Sequence, residues 1–227
     1  MILLTGGSGT LGTELQKHIK CWAPSREELD ITKKRYEYKS GVHLIVHCAA
    51  YTDVAKAEKE KILCYRTNVI GTRNLANWRI PMLYISTEYV FDGEKGNYSE
   101  DEIPNPVNFY GLTKLLGEYE SQATKSVIIR TLFKPTPFPH PKGITDQWTT
   151  GSTVERIAKE IVIAIKNFDR LPRILNIGHE RISVYDLARK TRAVSEIKRN
   201  QIGVKLPRDT SLNLTKWRKF KDDNRLC

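Results

Sequence analysis

The apolar run Ile2-Leu3-Leu4 passes directly into Thr5-Gly6-Gly7-Ser8-Gly9-Thr10-Leu11-Gly12, and then into helix-compatible sequence. Glycines at 6, 9 and 12 stand three apart, after a strand and at the start of a helix. That spacing serves a tight turn, close backbone approach to a pyrophosphate, and close helix-strand packing. The helix start adds free N–H groups and partial positive charge, which favour an anion. Gly6, Ser8, Gly9, Thr10, Leu11 and Gly12 are therefore the expected lining of a dinucleotide site. A site tuned to NAD usually carries an acid roughly 20 residues further on, for the ribose 2′-hydroxyl. Here Cys21-Trp22-Ala23-Pro24-Ser25-Arg26 has none, and Ser25 with Arg26 suits a 2′-phosphate, because the Arg fork matches phosphate oxygens. NADP is the expected cofactor, with NAD as a second acceptable form.

The rest of the chain supports the same architecture. Short apolar runs at 21–23, 43–48, 82–86 and 127–130 alternate with candidate helices at 11–20, 54–78 (with an expected break) and 109–123. Continuous apolar runs, without polar alternation, indicate parallel strands buried on both faces. Strand-helix alternation then predicts an α/β Rossmann fold, a doubly wound parallel sheet. The pattern changes after Arg130. Pro135, Pro137, Pro139 and Pro141 exclude helix and central strand from 134–142. Helical periodicity returns at 154–166, a short strand follows at 174–177, and Ser183 is placed to cap a further helix. The expected division is a cofactor domain of 1–134 with 152–177, and a small substrate lobe of 135–151 with 178–227.

The 227 residues carry a net charge of +11, with 40% hydrophobic residues, so the chain can bury a core and is basic. Basic residues are dispersed, as in Lys33-Lys34-Arg35, except for Lys216-Trp217-Arg218-Lys219-Phe220-Lys221. No RNP, helix-turn-helix or zinc pattern accompanies the charge, so a small phosphorylated ligand is expected in place of nucleic acid. The basic tail reads as a solvated helix, with a cleft that attracts a diphosphate as the alternative. Cys21, Cys48, Cys64 and Cys227 show no CxxC pair and no metal-ligand spacing. That pattern places the protein in a reducing compartment, and no apolar stretch reaches membrane-spanning length. Cytoplasmic location, no metal and no membrane association are the expectations. A homodimer is compatible with them.

Thr87 follows the apolar strand 82–85, and Tyr110 and Lys114 lie in YxxxK spacing at the start of a helix. Four residues bring the two side chains to one helical face. A Lys ammonium there is expected to depress a Tyr hydroxyl from its usual value of about 10, making it a proton donor or acceptor. Thr87, at the carboxyl end of its strand, is positioned to share the same substrate oxygen.

These segments, with His47-Cys48-Ala49-Ala50-Tyr51-Thr52, Asn68-Val69-Ile70-Gly71-Thr72-Arg73-Asn74-Leu75 and Ser86-Thr87-Glu88-Tyr89-Val90-Phe91-Asp92-Gly93, resemble the extended short-chain dehydrogenase/reductases of the dTDP-4-dehydrorhamnose reductase family. The likeness is strong over about the first 130 residues and weaker through Asp146-Gln147 and 207–212. It implies NADPH-dependent reduction of the C4 ketone of a nucleotide-linked 6-deoxysugar. Tyr110 would give the proton, Lys114 hold the nicotinamide ribose, and Thr87 polarise the carbonyl. Ala49, Ala50 and Tyr51 would line the cofactor, Asp30 and Ile31 border its adenine, and Glu88 and Tyr89 touch the sugar.

Three departures stand against the family pattern. Glu88 stands where the family commonly has Asp, and Leu132-Phe133-Lys134 replaces a Trp-containing stretch that in the family lies near the substrate. The segment before Asp146 is also shorter. Two alternatives follow: a reductase of another nucleotide sugar or smaller ketone, and a non-catalytic NADP-binding subunit like the regulator of methionine adenosyltransferase. An epimerase-reductase of the GDP-fucose synthase kind is disfavoured, because no Cys follows Ser86. Asn68 reads as a backbone support, and His43 and His47 as packing residues.

Overall fold

The computed structural model describes residues 1–33 and 40–226; Lys34, Arg35 and Cys227 lie outside the described residues. Six parallel strands form the central sheet: β1 (Ile2–Thr5), β2 (Cys21–Trp22), β3 (Leu44–His47), β4 (Met82–Ile85), β5 (Ser126–Arg130) and β6 (Ile174–Asn176). Their spatial order is β2-β1-β3-β4-β5-β6, so the winding reverses between β1 and β3. This is the doubly wound Rossmann-type arrangement, which places a crevice outside the carboxyl ends of those two strands.

The apolar runs are continuous because neighbouring side chains feed opposite faces of the sheet. Leu4, Val46, Leu83 and Ile129 enter one core with Ile157 and Ile161; Leu3, Ile45, Tyr84 and Ile128 enter the other with Leu75. Each of these side chains is buried, and full burial of one such residue contributes about 1.5–3 kcal/mol.

Helix α1 (Thr10–Leu15) is shorter than its sequence suggests, because residues 17 and 18 close tight turns onto Glu14 and Leu15. The expected helix 54–78 is divided into α2 (Val54–Ala57), α3 (Lys61–Tyr65), a widened π turn (Arg66–Ile70) and α4 (Gly71–Ala76). Helix α5 (Phe109–Ser121) starts at Asn108, whose side chain accepts from the Gly111 N–H. Helix α6 (Val154–Lys166) matches its expected span, with Ile157, Ile161 and Ile165 buried. Ser183 caps α7 (Val184–Arg189) by accepting from the Asp186 N–H.

The proline stretch carries no helix. Short paired strands flank it instead: 133–134 with 152–153, 142–144 with 195–197, and 148–149 with 182–183. The basic tail forms α8 (Thr215–Asp223), anchored by a buried Trp217 that donates to Glu160 of α6 at 2.7 Å. Lys221 also meets Glu160, and Lys216 meets Asp101. The tail thus docks on α6 and does not line the crevice. No described helix is long and apolar enough to cross a membrane.

Candidate active site

A cavity of about 590 Å³ opens at the carboxyl ends of β1, β3, β4 and β5. The glycine loop forms one wall. Gly6 has φ +71°, and a Cβ there would lie 2.6 Å from the Ala49 nitrogen. At Gly12 a Cβ would stand 2.2 Å from the Gly6 carbonyl, so only glycine lets α1 start against the loop. Gln16 of the following turn donates to the Gly7 carbonyl at 2.8 Å and holds the loop to its helix. The loop is therefore a rigid backbone cradle of the kind that accepts a pyrophosphate.

All six expected loop residues line the cavity, as do Arg26, Asp30, Ile31, Ala49 and Ala50. Ser25 does not. Its N–H donates to the Glu28 carboxylate, and its hydroxyl accepts from the Glu28 N–H. Tyr51 is also outside the lining: its hydroxyl donates to Glu60, while its backbone is clamped by the buried Asn68. Asn68 accepts from the Tyr51 N–H at 2.8 Å and donates to the Tyr51 carbonyl at 3.1 Å and to Thr113 at 3.0 Å. The π turn brings Asn68 to this position, and the residue acts as the backbone support its sequence context suggests. His47 bridges Thr5 and Thr72 in the core and is pushed down to about 3, by burial and then by the Lys114 charge. It is a neutral packing residue. His43 sits at the edge, 2.6 Å from the N-terminal amine.

Thr87, Tyr89, Tyr110 and Lys114 come together on the opposite side of the same cavity. The Tyr89 and Tyr110 rings meet edge to face at 6.1 Å, and Gln147 donates to the Tyr89 hydroxyl at 2.7 Å. Lys114 is buried, donates to the Ile85 carbonyl at 2.7 Å, and lies over the Tyr84 ring. Burial pulls Lys114 down to about 8 against the opposing Glu118 charge. Tyr110 departs from expectation. Burial pushes its hydroxyl up to about 12, and the contact with Thr87 only partly offsets this. The ammonium that was to depress it is directed at Ile85. The Tyr110 phenol thus keeps its proton at neutral pH, and Lys114 is a cation close to its titration range.

Glu88 is not in the cavity lining. It is completely buried, with Thr149 at 2.7 Å and Thr210 at 2.6 Å on its two carboxylate oxygens. Burial raises it to about 8. The residue after Thr87 therefore ties the end of β4 to two segments of the C-terminal part. Behind it, Arg130 and Glu118 form a buried two-point ion pair at 2.8 and 3.0 Å, and Ser86 donates to Glu118 at 2.5 Å. These contacts fix β4, β5 and α5 relative to one another.

Leu132, Phe133, Lys134, Pro135 and Pro139 build a further wall. The family resemblance sets the stretch 132–134 near the substrate, and the sequence pattern puts 135–151 in the substrate lobe, but none of these five is among the expected site residues. The proline run is a second signal, because it marks irregular chain, and such chain often carries ligand contacts.

The model of the RmlD substrate-binding domain family matches residues 1–133. The chain belongs to this family. It is 34% identical to the dTDP-4-dehydrorhamnose reductase of Aggregatibacter actinomycetemcomitans, over 75% of this chain and 58% of that protein. Methionine adenosyltransferase 2 subunit beta of Xenopus tropicalis is 33% identical over 51% of this chain and 41% of its own length. The chain thus spans about half the length of the curated relatives it matches. The crystal structure of dTDP-4-dehydrorhamnose reductase from Bacillus anthracis in complex with NADP superimposes with a TM-score of 0.82 at 25% identity, covering 96% of this chain and 92% of that one. A hypothetical dTDP-4-dehydrorhamnose reductase from Sulfolobus tokodaii gives 0.79 at 31% identity, over 96% and 93%.

Proposed function

We propose that this RmlD-family chain is an NADPH-dependent reductase of a nucleotide-linked 4-keto-6-deoxysugar. The observation that carries the reading is the union, in one cavity, of a glycine cradle with Thr87, Tyr110 and Lys114. The glycine loop holds the cofactor pyrophosphate, and Arg26 meets the 2′-phosphate. Asp30 and Ile31 border the adenine, and Ala49 and Ala50 flank the groove. The loop fits that group because Gly6 and Gly12 let backbone pack directly on backbone, a Cβ at either colliding with Ala49 or with Gly6 itself, so that the loop is held tightly against β3 and the start of α1. Bound NADPH supplies the hydride that reduces the ketone carbon.

Tyr110 donates its proton to the carbonyl oxygen as charge develops there, and Thr87 donates a hydrogen bond to that oxygen. A hydroxyl held near 12 is protonated at neutral pH, as a donor must be. Lys114, its ammonium set at the Ile85 carbonyl, holds the ribose. Tyr89, oriented by Gln147, forms the wall against the sugar. Residues 1–134 with 152–177 make the cofactor domain in this reading, and 135–151 with 178–227 the substrate lobe. The free thiols Cys21, Cys48 and Cys64 suit a reducing compartment such as the cytoplasm.

The test is loss of NADPH absorbance on addition of dTDP-4-keto-6-deoxy-L-mannose generated in place. Sustained oxidation supports the reductase. Tight NADPH binding without oxidation of this or another nucleotide-linked ketone would transfer the chain to the regulatory-subunit reading, to which the methionine adenosyltransferase relatives point.

A further inference from the structure

Lys134 lines the cavity, half-buried, between Phe133 and Pro135. Among the described residues its ammonium makes no hydrogen bond and no ion pair; the one charge acting on it is that of Glu88. Glu88 does not neutralise it. Both carboxylate oxygens are engaged by Thr149 and Thr210, no ion pair joins Glu88 to Lys134, and burial pushes the carboxyl towards its neutral form. A cation held in a cavity wall without a counter-ion is costly unless a ligand supplies the anion. Burial accordingly pulls Lys134 below its ordinary value. Its position is fixed, because 133–134 pair with 152–153 as a short parallel ladder.

We infer that Lys134 is an anion-binding residue of this cavity, taking a phosphate oxygen of the carbonyl substrate. The proposal rests on the reading of the cavity as a site shared by cofactor and substrate. Two sources of phosphate are chemically equivalent here, and position separates them. The glycine cradle follows β1, and Arg26 follows β2. Lys134 follows β5, three strand positions from β1, and strand spacing makes that about 14 Å at the sheet edge. Thr87 follows β4, the neighbour of β5, and Glu88 is the next residue. Lys134 therefore belongs to the side where the ketone meets Thr87 and Tyr110, and the diphosphate joined to the sugar is the anion within its reach. A Lys acts there as a compact charge on a flexible stem, suited to phosphate without demanding planar geometry.

The experiment is calorimetric titration of the NADP-loaded protein with dTDP, UDP, inorganic pyrophosphate and thymidine, for wild type, Lys134→Met and Lys134→Arg. The NADPH Kd of each variant is measured alongside. The inference predicts that Lys134→Met weakens dTDP, UDP and pyrophosphate at least tenfold, and that Lys134→Arg retains most of the affinity. Thymidine and NADPH should be unaffected, and the unchanged NADPH Kd also shows that the variant is folded. Weakened NADPH binding with unchanged dTDP binding would assign Lys134 to the cofactor and overturn the proposal. Equal affinities throughout, or no anion captured by wild type, would overturn it as well. The reductase reading fails separately: Lys134-dependent binding of dTDP without any NADPH oxidation would refute that reading and leave the anion site standing.

Discussion

Replacing Glu88 with Gln should make the protein more stable at neutral pH, by an amount that grows as pH rises towards about 8. Glu88 is fully buried and its folded-state value is raised from 4.5 to about 8. Below 4.5 both folded and unfolded states are protonated, and the group contributes no pH dependence. Between 4.5 and about 8 the unfolded chain ionises while the folded one keeps its proton, so the folded state binds more protons and stability falls with rising pH. Each unit is worth about 1.4 kcal/mol, so the loss reaches about 3 kcal/mol at pH 7. Gln mimics the protonated acid. Its amide can donate to Thr210 while the Thr210 hydroxyl turns to the Trp148 carbonyl, 3.5 Å away, and its oxygen still accepts from Thr149. Urea denaturation of both proteins at a series of pH values gives the difference directly. The two midpoints should coincide near pH 4.5, separate steadily up to about pH 8, and keep a constant gap beyond it, where the folded carboxyl is ionised too. Parallel curves, or a Gln variant less stable at neutral pH, would refute the burial of a protonated carboxyl.

Other sites give independent checks. Arg26→Ala should raise the NADPH Kd about ten- to hundredfold, the loss of one charge-assisted contact, and leave NADH unchanged in fluorescence titration. An equal effect on both cofactors, or none, would remove the 2′-phosphate role. Arg130→Met strands the buried Glu118 carboxylate and should cost about 3–5 kcal/mol in denaturant unfolding. A loss below about 1 kcal/mol would show that the pair is hydrated. Asn68→Ala unclamps the Tyr51 backbone and should cost about 1–3 kcal/mol, with faster amide exchange at Tyr51 than in wild type. Unchanged exchange there would mean that Asn68 is not what holds this segment.

Much of the fold was legible because the sheet is buried on both faces. The runs at 44–46 and 82–85 are apolar throughout, which separates them from amphipathic helices such as 154–166. The glycine loop was legible for a different reason: steric demands at Gly6 and Gly12 leave a spacing that survives in one dimension. What the sequence hid was the direction of side chains. Ser25, Tyr51 and Glu88 stand beside residues that line the cavity, yet Glu28, Glu60 and the pair Thr149 and Thr210 draw them away. Three of these four partners lie outside the neighbouring turn, and Thr210 is separated from Glu88 by more than half the chain. The Tyr110–Lys114 spacing likewise placed both residues on one face but could not reveal that Lys114 reaches the Ile85 carbonyl of a distant strand. The family resemblance places Lys134 near the substrate, but the prolines after it report only that regular structure stops, so its side chain's direction was not legible.

The most direct test of the reductase account is the Tyr110→Phe variant in single-turnover reduction of the nucleotide-linked ketone, with NADPH affinity measured in parallel. Removing the proton donor should slow the chemical step about 10²–10⁴-fold while the NADPH Kd stays at the wild-type value. Full turnover by the Phe variant would contradict the account, because the proton would then come from elsewhere.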